Sequence, residues 1–182
     1  MDIASIFRNP PPLDPSQWFA LEDVSQLSGR LPNSGELMSF VTCKTISAVE
    51  VFVLLLGDGQ CDRSQICSFN VSREGASYLE AAVADGSIGL LDVFMSNAMP
   101  HFQPDEAIPI LQALVDRLPN RVSLRVANLH AKAYCLAMAN GDNWVIETSA
   151  NFASNAMIEI YTIWNSAERL FWHAEWTAAL VR

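Results

Sequence analysis

From residue 36 onward, apolar positions recur with two periods, and the order in which those periods alternate outlines an architecture. Phe40-Val-Thr-Cys-Lys44 and residues 49–56 are rich in β-branched and aromatic side chains and read as strands. Gly57-Asp-Gly-Gln-Cys-Asp62 reads as a turn, and residues 66–71 as another short strand. Ser72 stands where a helix N-cap belongs. Ala76, Leu79, Ala82 and Val83 then form one apolar stripe, and Gly86 is placed to end the helix. Residues 89–96 read as a buried strand. A second helix is predicted over 105–118, where Ile108, Leu111, Val115 and Leu118 repeat at helical spacing. Pro109 falls in its first turn, where a missing N–H costs little.

Four β segments follow: residues 122–127, 131–139, 144–148 and 158–164, with Asn140-Gly-Asp-Asn143 as a hairpin turn between the second and third. A last amphipathic helix is expected over 167–180. Alternating strands and helices, then consecutive strands and a closing helix, predict an α/β fold in which helices sandwich a mixed β-sheet. Residues 1–34 are rich in Pro, Ser, Asn and Gly around a short helix expected over 18–27. They read as an N-terminal extension, leaving 35–182 as a single domain. No internal repeat is visible.

Half of the 182 residues are apolar (51%) and only 17% are charged, which fits a chain that buries a substantial core. The apolar run at residues 51–56 is far shorter than the ~20 residues that span a bilayer. The first residues show no charged segment followed by an apolar one, so the chain reads as lacking a signal peptide and as cytoplasmic. Cys43, Cys61, Cys67 and Cys135 form no C-x-x-C pair, and no metal site or cofactor is expected. They read as reduced thiols, with Cys43 and Cys135 in strands and the other two in or near a loop. The net charge of −9, with only eleven Lys and Arg, argues against extended binding to duplex DNA. Any nucleic acid must be gripped in a small local positive pocket.

The chemistry concentrates in His130-Ala-Lys132, Ser149-Ala-Asn151 and Glu159. On a strand, residues two apart share a face, so His130 and Lys132 would stand side by side toward a cleft, with Ala131 and Ala133 packed behind them. A lone histidine in a strand is more often structural than catalytic. A neighbouring lysine changes that balance, because two potential cations side by side call for an anion. Ser149 and Asn151 follow the apolar segment Trp144-Val-Ile at the carboxyl end of a strand, where α/β folds gather polar groups. Glu159, among Met157, Ile158 and Ile160, needs a partner, and the His130 imidazole is a suitable one.

Asn-Leu-His130-Ala-Lys132-Ala-Tyr, followed by Val-Ile-Glu-Thr-Ser149-Ala-Asn151-Phe-Ala-Ser-Asn155-Ala-Met-Ile-Glu159, resembles the phospholipase D superfamily. More narrowly it is similar to a phage- and bacteria-associated, nuclease-type branch with one His-x-Lys motif per chain. The resemblance covers residues 36 to the end and is most specific in the second half. It implies a metal-independent phosphodiesterase with His130, Lys132, Ser149, Asn151 and Glu159 as its site. It also implies a homodimer, since one motif per chain must be doubled, and a phosphohistidine intermediate. The substrate it implies is nucleic acid, single-stranded or an end. Two departures stand out. Ala137 replaces the family's aspartate five residues after the lysine, and Thr148 replaces a glycine that often precedes the serine. An inactive binding or structural protein on the same fold, and a hydrolase of phospholipids or small phosphodiesters, remain alternatives. The aromatics Trp164, Phe171, Trp172 and Trp176 are assigned to core and dimer packing.

Overall fold

The computed structural model describes residues 18–21, 23–43, 46–98, 107–153 and 158–180. Eight strands form one mixed sheet: β1 (Trp18–Leu21), β2 (Leu37–Cys43), β3 (Cys61–Ser68), β4 (Ile88–Ser96), β5 (Val122–Ala127), β6 (Ala133–Met138), β7 (Asn143–Thr148) and β8 (Ile158–Asn165). Their spatial order is β1-β2-β8-β7-β6-β3-β4-β5. The outer pairs β1–β2, β3–β4 and β4–β5 are parallel, whereas β2–β8, β8–β7, β7–β6 and β6–β3 are antiparallel. Four helices accompany the sheet: α1 (Ala48–Leu56), α2 (Arg73–Ala84), α3 (Ala107–Arg117) and α4 (Ala167–Ala179). The expected α/β class, a mixed sheet between helices, is the one observed.

The two faces of the sheet are unequal. Tyr134, Leu136 and Met138 of β6 join Ile66, Val93, Ile146, Tyr161 and the apolar faces of α1, α2 and α3 in the main core. The opposite parity (Cys67, Phe94, Ala133) forms a small second cluster with Leu129, against which Trp176 of α4 packs. Strand alternation assigns each residue to one of these cores.

Three local readings change. Residues 49–56, expected as a strand, form α1. Ser47 and Glu50 close a capping box, with Glu50 N–H donating to Ser47 Oγ at 3.2 Å and Ser47 N–H to Glu50 Oε2 at 2.7 Å. Val51, Phe52, Leu55 and Leu56 are then buried while Glu50 and Val53 are exposed, a helical period. The helix expected over 18–27 is instead β1 followed by a 3₁₀ turn (Val24–Leu27), with Asp23 accepting from Ser25 N–H at 2.7 Å. β1 thus joins the sheet and Leu27 the core. Cys61 and Cys67, expected in or near a loop, lie buried in β3. Burial pushes both thiols up to about 12, so neither supplies a thiolate near neutral pH.

The second half follows the sequence pattern closely. Ser72 caps α2 by accepting from Gly75 N–H at 3.0 Å. Gly141, at φ 96°, makes the β6–β7 hairpin. α3 begins at Ala107, with Pro109 in its first turn; the expected start at 105 lies outside the described residues.

Candidate active site

Strand directions bring the five candidate residues to one end of the sheet. β3 and β7 finish there, at Ser68 and Thr148, while β6 and β8 begin there, at Ala133 and Ile158. Cross-strand pairs Cys67↔Ala133, Ala133↔Glu147 and Thr42↔Glu159 fix this alignment. His130 and Lys132 sit on the coil entering β6 rather than within a strand, but they remain adjacent. Thr148 N–H donates to Lys132 O at 3.2 Å and holds that coil against β7.

His130 is exposed, with Nδ1 3.4 Å from Lys132 Nζ, and the same ammonium lies 3.3 Å from His130 O. Phe69, which follows β3, backs both groups. Its ring centroid is 5.0 Å from that of the imidazole and 5.9 Å from Lys132 Nζ. Partial burial pulls the Lys132 pKa below the ordinary lysine value, with the Glu159 carboxylate opposing that shift. An ammonium kept from full hydration beside an imidazole is well prepared for an anion.

Ser149 Oγ donates to Glu159 Oε2, and Ile160 N–H donates to Ser149 Oγ at 3.1 Å. Ser149 N–H in turn donates to Ile160 O at 3.1 Å. The serine therefore ties the exit of β7 to the entry of β8. Glu159 is 8% exposed and directly opposite buried Thr42 on β2. Asn151 is held between two anchored neighbours. Ala150 O accepts from Tyr134 Oη at 2.7 Å, and Phe152 N–H donates to Ser68 Oγ at 3.0 Å. Asn151 Oδ1 is buried without a hydrogen-bond partner among the described residues. A buried acceptor without a partner is uncommon and costs stability; among the described residues Thr42 Oγ1 is buried in the same way.

Several contributors were not singled out in the sequence. Phe69 and Ser68 end β3 in Ser-Phe-Asn, and a polar-aromatic pair at a strand's carboxyl end was the available signal. Glu147 was passed over as well. It accepts from Arg169 Nε at 2.7 Å and Trp164 Nε1 at 3.2 Å, and contacts His173 Nε2 at 2.8 Å. Burial alone would raise its pKa, but hydrogen bonds and charge from His173 and Arg169 together hold it below the usual glutamate value. The aromatics of β8 and α4 divide. Phe171 and Trp172 are exposed, by 62% and 46%, while Trp164 and Trp176 are partly buried. The core part of that assignment holds for Trp164 and Trp176 only in part, and Phe171 and Trp172 lie outside this chain's own core. Among the described residues, no three His, Cys, Asp or Glu side chains gather as a metal site, and no helix is long and apolar enough to cross a membrane.

No protein family model matches the sequence, and no curated protein does. Solved structures do. Polyphosphate kinase from Porphyromonas gingivalis superposes with a TM-score of 0.59 at 14% identity, over 94% of this chain and 31% of its own. Phosphatidylserine synthase from Haemophilus influenzae gives 0.56 at 15% identity, over 84% and 40%. NucT from Helicobacter pylori gives 0.54 at 11% identity, over 80% of this chain and 96% of its own. The chain thus spans well under half of the kinase and the synthase and nearly all of NucT. At such identities the likeness establishes the fold.

Proposed function

We propose that this chain, whose fold is that of the phospholipase D superfamily, is a metal-independent phosphodiesterase acting on nucleic acid. The supporting observation is the exposed His130–Lys132 pair. It stands at the one sheet end that also gathers Ser149, Glu159 and the orphaned Asn151 oxygen. A nucleophile and a cation side by side, with an amide side chain at the same end of the sheet, suit attack on a phosphodiester. The fold is shared with NucT over nearly that protein's whole length and equally with a phosphatidylserine synthase, so the preference for nucleic acid rests on the resemblance to single-motif members of the superfamily.

Each chain carries one His-x-Lys motif, so the reading requires a two-fold dimer in which two imidazoles flank one phosphate. His130 Nε2 attacks phosphorus and the P–O bond to the leaving oxygen breaks. That oxygen takes the Nε2 proton from His130 of the partner subunit. The partner's imidazole, now neutral, removes a proton from water. The water oxygen displaces His130 from phosphorus, releasing the product and restoring both rings.

The nitrogen geometry divides these roles. The acid is the imidazolium, which gives its Nε2 proton to the leaving oxygen and keeps the proton on Nδ1. The nucleophile is the neutral imidazole with its proton on Nδ1 and a free lone pair on Nε2, a form that requires Lys132 to turn from Nδ1 toward the phosphate. Lys132 and the Asn151 amide then hold the nonbridging oxygens. Ser149 keeps Glu159 in place through Oε2.

Ala137, standing where relatives carry aspartate, lies about 13 Å from Ala133 along β6, at ~3.3 Å per residue. It pairs with Asn143 and Arg63, away from the site end. Its substitution therefore leaves the reacting groups untouched.

The test is hydrolysis of bis-p-nitrophenyl phosphate and of labelled single-stranded DNA, with and without EDTA, alongside light scattering. Hydrolysis indifferent to EDTA by a particle of twice the chain mass is expected. Hydrolysis of neither substrate, or loss in EDTA that returns with added metal, overturns the reading. Asn151→Ala is expected to lower kcat on the order of 10²–10³-fold, the usual effect of removing one donor aimed at developing charge. The measurement is steady-state kinetics on the same two substrates.

A further inference from the structure

The cavity beside Lys132, on the sheet face that α4 covers, lies outside the chemistry described so far. It measures about 320 Å³ and runs from Ala131, Lys132 and Ala133 to Trp172, His173 and Trp176. We infer that this cavity is a stacking subsite for the nucleobase next to the scissile phosphate, with Trp172 as its platform. The inference rests on the phosphodiesterase reading above and narrows its substrate to single-stranded nucleic acid.

The cavity shares Lys132 with the His-x-Lys pair. A phosphate held on that ammonium therefore places the group attached to it at the cavity's mouth. The far wall is aromatic and rigid. Trp176 packs on the Cys67–Phe94 cluster and donates its indole N–H to His173 Nδ1 at 3.1 Å. The other ring nitrogen, His173 Nε2, lies 2.8 Å from Glu147 Oε1. Glu147 also holds Arg169, whose guanidinium lies 4.4 Å from the Trp172 ring centroid and 5.2 Å from that of Trp164. One carboxylate thus fixes both sides of the wall while Trp172 itself stays 46% exposed. A large aromatic surface held in place beside a phosphate-binding cation suits a planar π system.

Charge and size sharpen the assignment. In a chain of net charge −9, Arg169 is paired with Glu147 in this lining, so Lys132 is the charge offered to an anion here, a single spot rather than an extended surface. A groove of about 320 Å³, widely open to solvent, has room for one base. In a duplex the bases remain stacked on one another, so only an unpaired base reaches the indole.

The test measures fluorescence anisotropy of labelled oligothymidylate of about ten nucleotides and of an abasic strand of equal length, in a His130→Asn background that prevents turnover. Trp172→Ala is expected to weaken thymidylate binding about 10-fold, roughly 1.4 kcal/mol, and abasic binding less than about 2-fold, while Trp172→Phe keeps most of the affinity. Equal loss on both strands, no loss on either, or no measurable binding before the Trp172 substitution overturns the inference. So does a Trp172→Ala protein whose mass in light scattering falls to half, which would make the indole a subunit contact. Base-dependent binding without any hydrolysis by the unsubstituted protein removes the catalytic reading and leaves the subsite. Hydrolysis with base-independent binding does the reverse.

Discussion

His130→Ala is expected to lower phosphodiester hydrolysis at least ~10⁴-fold, because it removes both the nucleophile and the acid from a dimeric site. Stability should move by less than about 0.5 kcal/mol, as for exposed positions in general. The ring is exposed, and its described contacts are the Phe69 ring and Lys132 Nζ. Thermal unfolding followed by circular dichroism checks the second statement. Acid-labile labelling of residue 130 by a phosphodiester substrate, absent in the variant, checks the first. Mixed subunits give a sharper measurement. If each site needs two imidazoles, random exchange of equal amounts of native and His130→Ala chains leaves about a quarter of the native activity, not half. A linear decline with the fraction of variant chains would mean that each protomer works alone, and full activity in the variant would end the mechanism.

Phe152→Ala is expected to cost ~3–5 kcal/mol of stability, the range for truncating a fully buried aromatic. Its ring lies 5.3 Å from Phe52 at 87° and 5.0 Å from Tyr134 at 66°, both edge-on arrangements. A Cβ built on Gly75 would stand 2.9 Å from this ring and 2.9 Å from Phe152 O, so α2 approaches at the limit that glycine allows. Phe152 O also accepts from Ser72 N–H at 3.0 Å, at the N-cap of α2. One residue therefore joins α1, α2, β6 and the segment carrying Asn151. Urea denaturation measures the loss, with Phe171→Ala, 62% exposed, as the comparison that should change little. Where the Phe152→Ala protein remains folded, its kcat should fall too, because Asn151 loses its anchor. A variant of native stability would show that the site loop is not held through this ring.

Much of the architecture was legible because its signals are local. Ser72, the Ala76–Leu79–Val83 stripe and Gly86 define α2 without reference to anything distant. Asn140-Gly141 makes a hairpin whose register follows from its turn. α1 was misread for an equally local reason. Val49-Glu-Val-Phe-Val-Leu-Leu-Leu is nearly all apolar, and an apolar run of that length has no visible period. The capping box of Ser47 and Glu50, three residues apart, carried the information that the run itself lacked. β1 was misread because four residues pair with β2 across a sheet edge, and nothing between positions 18 and 27 encodes that partner.

The candidate site divides along the same line. The motif residues His130, Lys132, Ser149, Asn151 and Glu159 stood out in the chain because their types and spacings are unusual. Their convergence was not readable there. It follows from which strands run toward the same end of the sheet, a property of topology. Phe69 and Ser68 lie more than sixty positions from His130 and join it only because β3 is hydrogen-bonded to β6. Glu147 looked like any polar residue on a strand. It became a cluster only when α4 packed across β7 and brought Arg169 and His173 to it.

The order of residues alone determined helix caps, hairpin turns, strand faces and the chemical inventory of one motif, since each depends on neighbours within a few positions. Tertiary structure decided which face each charged group meets, which carboxylate is buried and what stands beside Lys132. Desolvation and ion pairing depend on distances through space, and chain separation does not specify those distances.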